Sequence, residues 1–437
     1  MLKVVIKNAP KLLAPLLLLA LAPAAQAHER KSRRALGAEV DAAGHVEPPL
    51  AWQLGVRGFA DLQAAWFDYG EDQNRPGGAP ADSRVVLDTT RFVLEVEGLL
   101  PGQLEFEAEV EFEHHGAGAA MELEYEEFGE FEQEVESGGE VMLEELNLRK
   151  QLGPVALRIG RFYLGVGLLS EIYRPTEYLA STQPESEVAV IPAVWDEIGL
   201  ELSARLGTLL VTAQLVNGLD STGFSSQRWI ASGHQQRFEL TQASSPAAVL
   251  RLDWFPSDGV QLGASAYYGG TTSNRPKRDL DVSADVLLLD AHAVLDLAPW
   301  SFRACVLWGH LSNAEAVSER TARLSTAINV LRSAVADQAF FAWAELGLDL
   351  GDALALPRGH HLEPYLRVEY YDTMFAVSGD TFDNPRFGRF VTPAGLGWGY
   401  GALLFAKLDV THRDLAAFAS SDLRDETSVR LSTGFTF

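Results

Sequence analysis

The feature that most constrains this chain is a run of sixteen segments in which apolar and polar residues alternate with period two. They fall at roughly 53–68, 83–99, 103–114, 140–152, 155–164, 195–205, 208–217, 247–256, 260–270, 284–298, 300–310, 338–350, 361–372, 388–399, 401–412 and 427–437. In the last, Val429, Leu431, Thr433, Phe435 and Phe437 share one face, and Arg430, Ser432, Gly434 and Thr436 take the other. The first does the same, with Leu54, Val56, Ala60, Leu62, Ala64 and Trp66 opposite Gln53, Arg57, Asp61 and Gln63. Alternation at 180° per residue means strands, not helices. By itself it fits a soluble sandwich as well as a membrane barrel.

The connections decide between the two. Leu100-Pro101-Gly102, Gly153-Pro154, Leu206-Gly207, Ser257-Asp258-Gly259, Pro299 and Gly399-Tyr400 are short, and 351–360 is somewhat longer. Between them lie long connections at 69–82, 115–139, 165–194, 218–246, 271–283, 311–337, 373–387 and 413–426. An even strand count with strictly alternating short turns and long loops is the pattern of an outer-membrane barrel, short turns periplasmic and long loops outside. A sandwich has no reason to gather its long loops at one end. The expectation is all-β: a transmembrane antiparallel barrel of about sixteen strands over residues 51–437, with one short helix in a loop. That helix is read from Val317, Leu324, Ile328, Leu331 and Val335 at helical spacing within 314–335, capped by Ser312 or Asn313.

The N-terminus gives a compartment. Lys3, Lys7 and Lys11 precede the apolar run Leu12–Leu21 and the small-residue site Ala25-Gln26-Ala27, the order of a cleavable secretory signal. The run is too short to span a bilayer, which needs ~20 apolar residues. Residues 1–27 are therefore expected to be removed, leaving 28–50 as a periplasmic leader. Losing three lysines takes the formal charge from −25 to −28. Beyond residue 30 no uncharged 18-residue apolar stretch remains for a helical span.

Composition excludes several functions. Acidic residues outnumber basic ones 60 to 35, the wrong balance for a nucleic-acid partner. The single cysteine, Cys305, excludes an internal disulfide and a cysteine-based zinc cluster. No cofactor motif is present.

The charges that remain sort onto one strand face. That face carries Arg91, Glu95 and Glu97; Glu197 and Glu201; Arg251 and Asp253; Asp290, His292 and Asp296; Glu345 and Asp349; Arg367 and Glu369; Lys407 and Asp409. On the lipid side an Arg or Lys near the midplane would cost about 2–4 kcal/mol, so this face should line the lumen. Sixteen strands enclose more space than side chains fill, which implies water inside. The densest block spans Glu105–Glu145, with sixteen glutamates and no aspartate, lysine or arginine. Glu105, Glu107, Glu109, Glu111 and Glu113 form one inward column, and Glu122–Glu136 continue into the second long loop. Such a column needs cations or arginines beside it; Arg91, Arg149 and Arg158 are the expected partners. Two readings stay open here, a charge-balanced wall and a cation-concentrating vestibule.

The architecture resembles Gram-negative general porins, and more narrowly the porin O/P-like, phosphate-selective porin-like group. Two motifs carry the resemblance: the terminal Phe437 closing an alternating strand, and Leu157-Arg158-Ile159-Gly160-Arg161-Phe162 followed by Gly165-Val166-Gly167-Leu168. The resemblance implies that Phe437 is the signal read by the barrel assembly machinery. It also implies that 165–194, with Tyr173, Tyr178, Pro175, Pro184 and Pro192, is a constriction loop. Its phosphate-selective members carry a lysine-rich pore; the mature chain keeps only Lys31, Lys150, Lys277 and Lys407, so phosphate selectivity does not carry over. The implied partners are small solutes or ions and outer-membrane lipid, with monomer and homotrimer both open. The leading reading is a passive, cation-preferring, non-enzymatic channel. Its rivals are a structural or adhesive barrel and an outer-membrane hydrolase built around Thr411-His412 and Ser420-Ser421. His114-His115 is a weak metal candidate, His360-His361 a solvated turn, and Cys305 an inward-facing small residue.

Overall fold

The computed structural model describes residues 53–69, 82–102, 104–114, 140–235, 240–323, 333–415 and 425–437. The proposed signal and leader, most of the second long loop with Glu122–Glu136, His115, and Ser420-Ser421 lie outside them. Sixteen strands close one antiparallel barrel in sequence order, β1 pairing β16 to complete the ring. They are β1 (Gln53–Tyr69), β2 (Asp82–Leu100), β3 (Leu104–Glu113), β4 (Glu140–Leu152), β5 (Val155–Tyr163), β6 (Asp196–Leu206), β7 (Leu209–Asn217) and β8 (Pro246–Ser257). The rest are β9 (Val260–Gly270), β10 (Asp285–Leu297), β11 (Trp300–Leu311), β12 (Gln338–Leu348), β13 (His360–Ala376), β14 (Gly388–Tyr400), β15 (Leu404–Asp414) and β16 (Glu426–Thr436). All sixteen expected strands form, with ends displaced by a few residues.

β13 runs four residues past its expected end, to Ala376, and the turn between β14 and β15 is also displaced. The sequence reading turned the chain at Gly399-Tyr400, but Tyr400 still pairs with His360, and the turn falls at residues 401–403. Gly401 supplies the left-handed φ of +55° that this turn requires. Asp349 also differs from expectation. It lies beyond β12 and accepts the Gly351 N–H at 2.8 Å, so it caps a turn and does not line the wall.

The outer face follows from the alternation. Val85, Leu87, Leu200, Leu252, Leu289, Leu366, Leu408 and Leu431 are exposed around the circumference. Aromatic rings mark its two edges. Phe340, Tyr370 and Phe390 run side by side near the long-loop end, with centroids 6.1 and 5.1 Å apart. Phe435 and Phe437 sit 6.1 Å apart near the short-turn end. An apolar band between aromatic girdles is the form a barrel takes in a bilayer. Among the described residues no helix is long and apolar enough to cross a membrane.

The hydrophobic core lies inside the barrel. Three long connections, L3 (164–195) and the described parts of L4 (218–245) and L6 (312–337), turn inward and pack on the walls of β7–β13. Leu164, Val166, Trp195, Phe224, Trp229 and Ile230 from the loops meet Val249, Tyr267, Leu288, Leu307, Phe341 and Trp343 from the strands. L3 carries helix α1 (Glu185–Val190), and L6 carries α2 (Ala314–Ala322). The expected loop helix therefore forms over its first nine residues; Leu324, Ile328 and Leu331 lie outside the described residues, and Val335, counted in the expected helix, is not helical. Asn313 occupies the N-cap position, but its side chain donates to the Ser283 carbonyl at 2.7 Å instead of capping the helix.

Candidate functional site: a loop septum and its glutamate wall

L3 crosses the lumen and is fastened to the barrel in nearly every direction. It leaves β5 at Leu164, whose N–H donates to the Trp195 carbonyl at 2.7 Å and closes the loop's neck. Gly165 N–H donates to Gln214 on β7 at 3.0 Å. Gly167 N–H donates to Asp290 on β10 at 3.0 Å, and its carbonyl accepts from Arg251 on β8 at 2.9 Å. Gly167 sits at φ +71°, and a Cβ there would meet Glu187 Oε1 at 2.2 Å, so only glycine fits. The chain then crosses to the opposite wall. The Tyr173 hydroxyl lies 3.2 Å from Glu95 and 2.9 Å from Glu109, and Arg174 donates to both oxygens of Glu95 at 2.7 and 2.8 Å.

From there L3 runs along β15, β12 and β13. Lys407 donates to the carbonyls of Pro175, Tyr178 and Ala180, the last two at 2.6 and 3.0 Å. Glu345 accepts the N–H groups of Leu179 and Ala180 at 2.7 and 3.2 Å, and Asp409 accepts Ser181 N–H at 2.7 Å. Arg367 donates to the carbonyls of Thr182 and Gln183 at 2.8 and 3.1 Å, and Glu369 accepts Ser186 N–H at 2.8 Å. Glu187 of α1 accepts from Leu168, Leu169 and the Trp343 indole at 2.8, 2.9 and 2.8 Å.

These charges face inward, as the alternation demands, but they do not line open water. Glu95, Glu109, Glu345 and Asp409, on opposite sides of the barrel, are each no more than 1 % exposed. Water inside the barrel was the expectation for this face; these four groups meet L3 instead. Glu345 and Asp409 bind the backbone of L3, and Glu95 and Glu109 bind its Tyr173 and Arg174 side chains; a loop backbone inside a barrel needs such partners because it has no strand to pair with.

The glutamate column faces inward, and arginines pair with some of its members and neighbours. Arg91 pairs with Glu111, Arg149 with Glu105 at 3.3 Å, and Arg158 with Glu145 and Glu201 at 3.9 and 3.7 Å. Arg367 sits between Glu345 and Glu369 at 3.4 and 2.7 Å. Glu113 ends the column opposite Arg91 in register. Other members were not expected. Arg57 on β1 reaches Glu95, Glu97 and Glu107 at 2.5, 3.3 and 3.8 Å. The Tyr163 hydroxyl lies 2.9 Å from Glu109 and 2.7 Å from Glu144.

Glu144 is inward because β4 bulges there: Glu109 pairs Glu145 while Val110 pairs Leu143, leaving Glu144 as the extra residue. The doublet Glu144-Glu145 was the available signal, since strict alternation would have put one of the two carboxylates in lipid. Below L3, toward the short turns, a cavity of about 510 Å3 is bounded by Arg57, Arg174, Glu177, His361, Glu363 and Tyr365.

The remaining sequence candidates scatter. His114 Nδ1 lies 2.6 Å from Asp88. The His360 ring packs tilted against Tyr400, centroids 4.9 Å apart, so it is not merely solvated. Cys305 points inward and is buried in the loop core. Thr411 is buried inside, whereas His412 is exposed, so adjacent positions on β15 send the two to opposite faces. Phe437 exchanges backbone hydrogen bonds of 3.0 Å with Gly58, closing the ring at its last residue.

No family model matches the sequence. An uncharacterized protein of Aquifex aeolicus (strain VF5) is 25% identical over 248 residues, covering 56% of this chain and 52% of that protein. The chain thus spans about half the length of the curated relative it matches. Solved structures share the fold at low identity. OmpF of Salmonella typhi, solved with daunomycin, superposes with a TM-score of 0.53 at 11% identity, over 88% of this chain and 98% of that one. OprB of Pseudomonas putida gives 0.52 at 11%, over 88% and 94%. A loop L8 deletion mutant of OmpT, an outer membrane protein of Vibrio cholerae, gives 0.51 at 7%, over 89% and 100%. The chain has the fold of an outer-membrane β-barrel.

Proposed function

We propose that this protein is an outer-membrane porin, a channel for passive diffusion of small solutes or ions that prefers cations. The observation that carries the reading is a closed sixteen-strand barrel, apolar outside and charged inside. Its export signal is Met1–Ala27, its leader is 28–50, both termini face the periplasm, and the long loops face outward. No chemistry is required of it: the pair nearest to a hydrolase set, Thr411 and His412, is split between two faces. Within the porins we place it nearest the O/P-like group, on the glycine-marked entry into L3.

The selectivity reading rests on Glu105, Glu107, Glu109, Glu111 and Glu113 with Arg91, Arg149, Arg158, Arg367 and Glu369 as the pore's charged set. On the β2–β6 wall carboxylates outnumber the guanidinium groups that pair with them. A wall with one sign in excess concentrates counter-ions. Planar-bilayer recording of refolded protein under a KCl gradient tests both claims. A folded barrel that never conducts overturns the channel, and a reversal potential of anion sign overturns the preference. Cross-linking in native membranes separates a monomer from a homotrimer.

Phe437 is proposed as the assembly signal. Deleting it should abolish most heat-modifiable, folded protein in the outer membrane; an unchanged folded yield removes that role.

A further inference from the structure

The ends of L3 are held by an apolar core as well as by polar tethers, its middle chiefly by polar tethers. Residues 164–172 and 187–195 are anchored by apolar burial, with Leu164, Val166, Leu168, Ile172, Val190, Ile191 and Trp195 inside the loop core. The middle, 173–186, adds only Tyr178 to that core and hangs chiefly from charged side chains of the wall, which grip its backbone and the side chains of Tyr173 and Arg174. Lys407 is the centre of that grip. One ammonium donates to three L3 carbonyls, Pro175, Tyr178 and Ala180, which uses all its N–H donors. Glu345 and Asp409 take the N–H groups of the same stretch. Backbone groups freed from such tethers find water, whereas apolar anchors freed from a core do not, so the middle opens at lower free energy than the ends.

We infer that Lys407 is a positioning residue that holds the middle of L3 across the lumen, and that release of 173–186 from its fixed ends is the motion that widens the channel. The widening rests on the porin reading; the release does not. The two are measured separately on the folded full-length barrel. The S181C substitution places a thiol on the tethered stretch at a buried position. Cys305, buried in the anchored core, is the internal control. Modification by a small cationic thiosulfonate is followed by mass spectrometry, and conductance is recorded in parallel.

Adding K407Q should speed labelling at position 181 by roughly tenfold or more, the scale expected when hydrogen bonds to a charged group are lost. Cys305 should stay silent, channel conductance should rise, and K407R should remain near the parent. E345Q should act in the same direction and stands in if K407Q does not fold. Labelling unchanged in both variants, or Cys305 labelling in step with position 181, overturns the inference. Faster labelling at position 181 without current in any variant upholds the release and overturns the porin reading.

Discussion

The interior wall of β7–β13 and the interior wall of β1–β5 obey the same alternation and end in opposite environments. On the first, toward the long loops, Val249, Tyr267, Leu288, Leu307 and Phe341 are buried under L3, L4 and L6. On the second, Arg57, Glu105, Glu107 and Arg149 keep a quarter to a third of their side-chain surface, while Glu109 and Glu111 are closed off by tyrosines and arginines. One wall is a protein core toward its loop end, and the other keeps part of its charged surface exposed. The difference teaches that an inward-facing position in a wide barrel is not by that fact a water-facing one. What the loops do decides it.

If that contrast is right, the largest perturbation comes from the apolar wall. Trp229 of L4 is fully buried, and its Nε1–H donates to the Ala336 carbonyl at 2.9 Å. W229A should destabilise the loop core by about 3–5 kcal/mol. Hydrogen exchange should show L3, L4 and L6 losing protection while the strands keep theirs; strands that unfold together with the loops would mean that core and barrel are one unit.

A smaller loss is expected on the charged wall. E111Q removes the charge that Arg91 faces, and about 2–3 kcal/mol should follow from leaving a buried guanidinium poorly paired. E107Q, at a side chain 27% exposed, should leave stability alone and lower cation preference. Denaturant unfolding and reversal potentials measured on both variants separate the roles. Equal selectivity changes in the two would erase the distinction between sealed and wet glutamates.

Gly309 on β11 sharpens the apolar side further, because a Cβ there would meet the Trp229 ring at 2.2 Å. G309A should cost about 1–3 kcal/mol by overpacking. Combined with W229A the cost should largely vanish, and additive losses in the double mutant would place the clash elsewhere.

The smallest effect concerns the connection between β9 and β10. Asp279 accepts from Arg275 and Arg320, both at 2.7 Å. Burial alone would raise its carboxyl, but these guanidinium groups outweigh it and hold the group below the usual range. A depressed carboxyl stabilises the fold above its unfolded pKa of about 3.9, and that stability is lost as pH falls through the lower folded value. D279N should therefore lower the loop core's melting temperature at neutral pH and converge with wild type in acid; a constant gap at every pH would deny the charge any part.

Much of this was legible in the sequence. The outer face was, because lipid tolerates only one kind of side chain and every strand had to show it in alternation. The glutamate column was, because Glu105–Glu113 keep strict parity. Arg91 and Arg149 were found as its partners because each sits on an adjacent strand at matching parity; Arg158, one strand further on β5, pairs with Glu145 and Glu201 instead. Arg57 and Arg174 were not, since nothing local says that a β1 residue and a loop residue converge on Glu95. Glu144 was missed because a bulge breaks the period on which the reading relied. The loop core was missed because Phe224, Trp229 and Ile230 lie in a segment without periodicity, where no pattern shows which surface they cover.

The sequence by itself determined the strand number, their order, the alternation of short and long connections and the choice of outer face. Each of these follows from contacts between neighbouring residues or strands and from a single boundary condition, an apolar surround. The tertiary structure alone decided the state of the interior. Whether Glu109 meets water or Tyr173, and whether Leu307 meets water or a folded loop, depends on chain segments far apart in sequence meeting inside a closed ring. Burial of that kind is settled only when the ring closes around them.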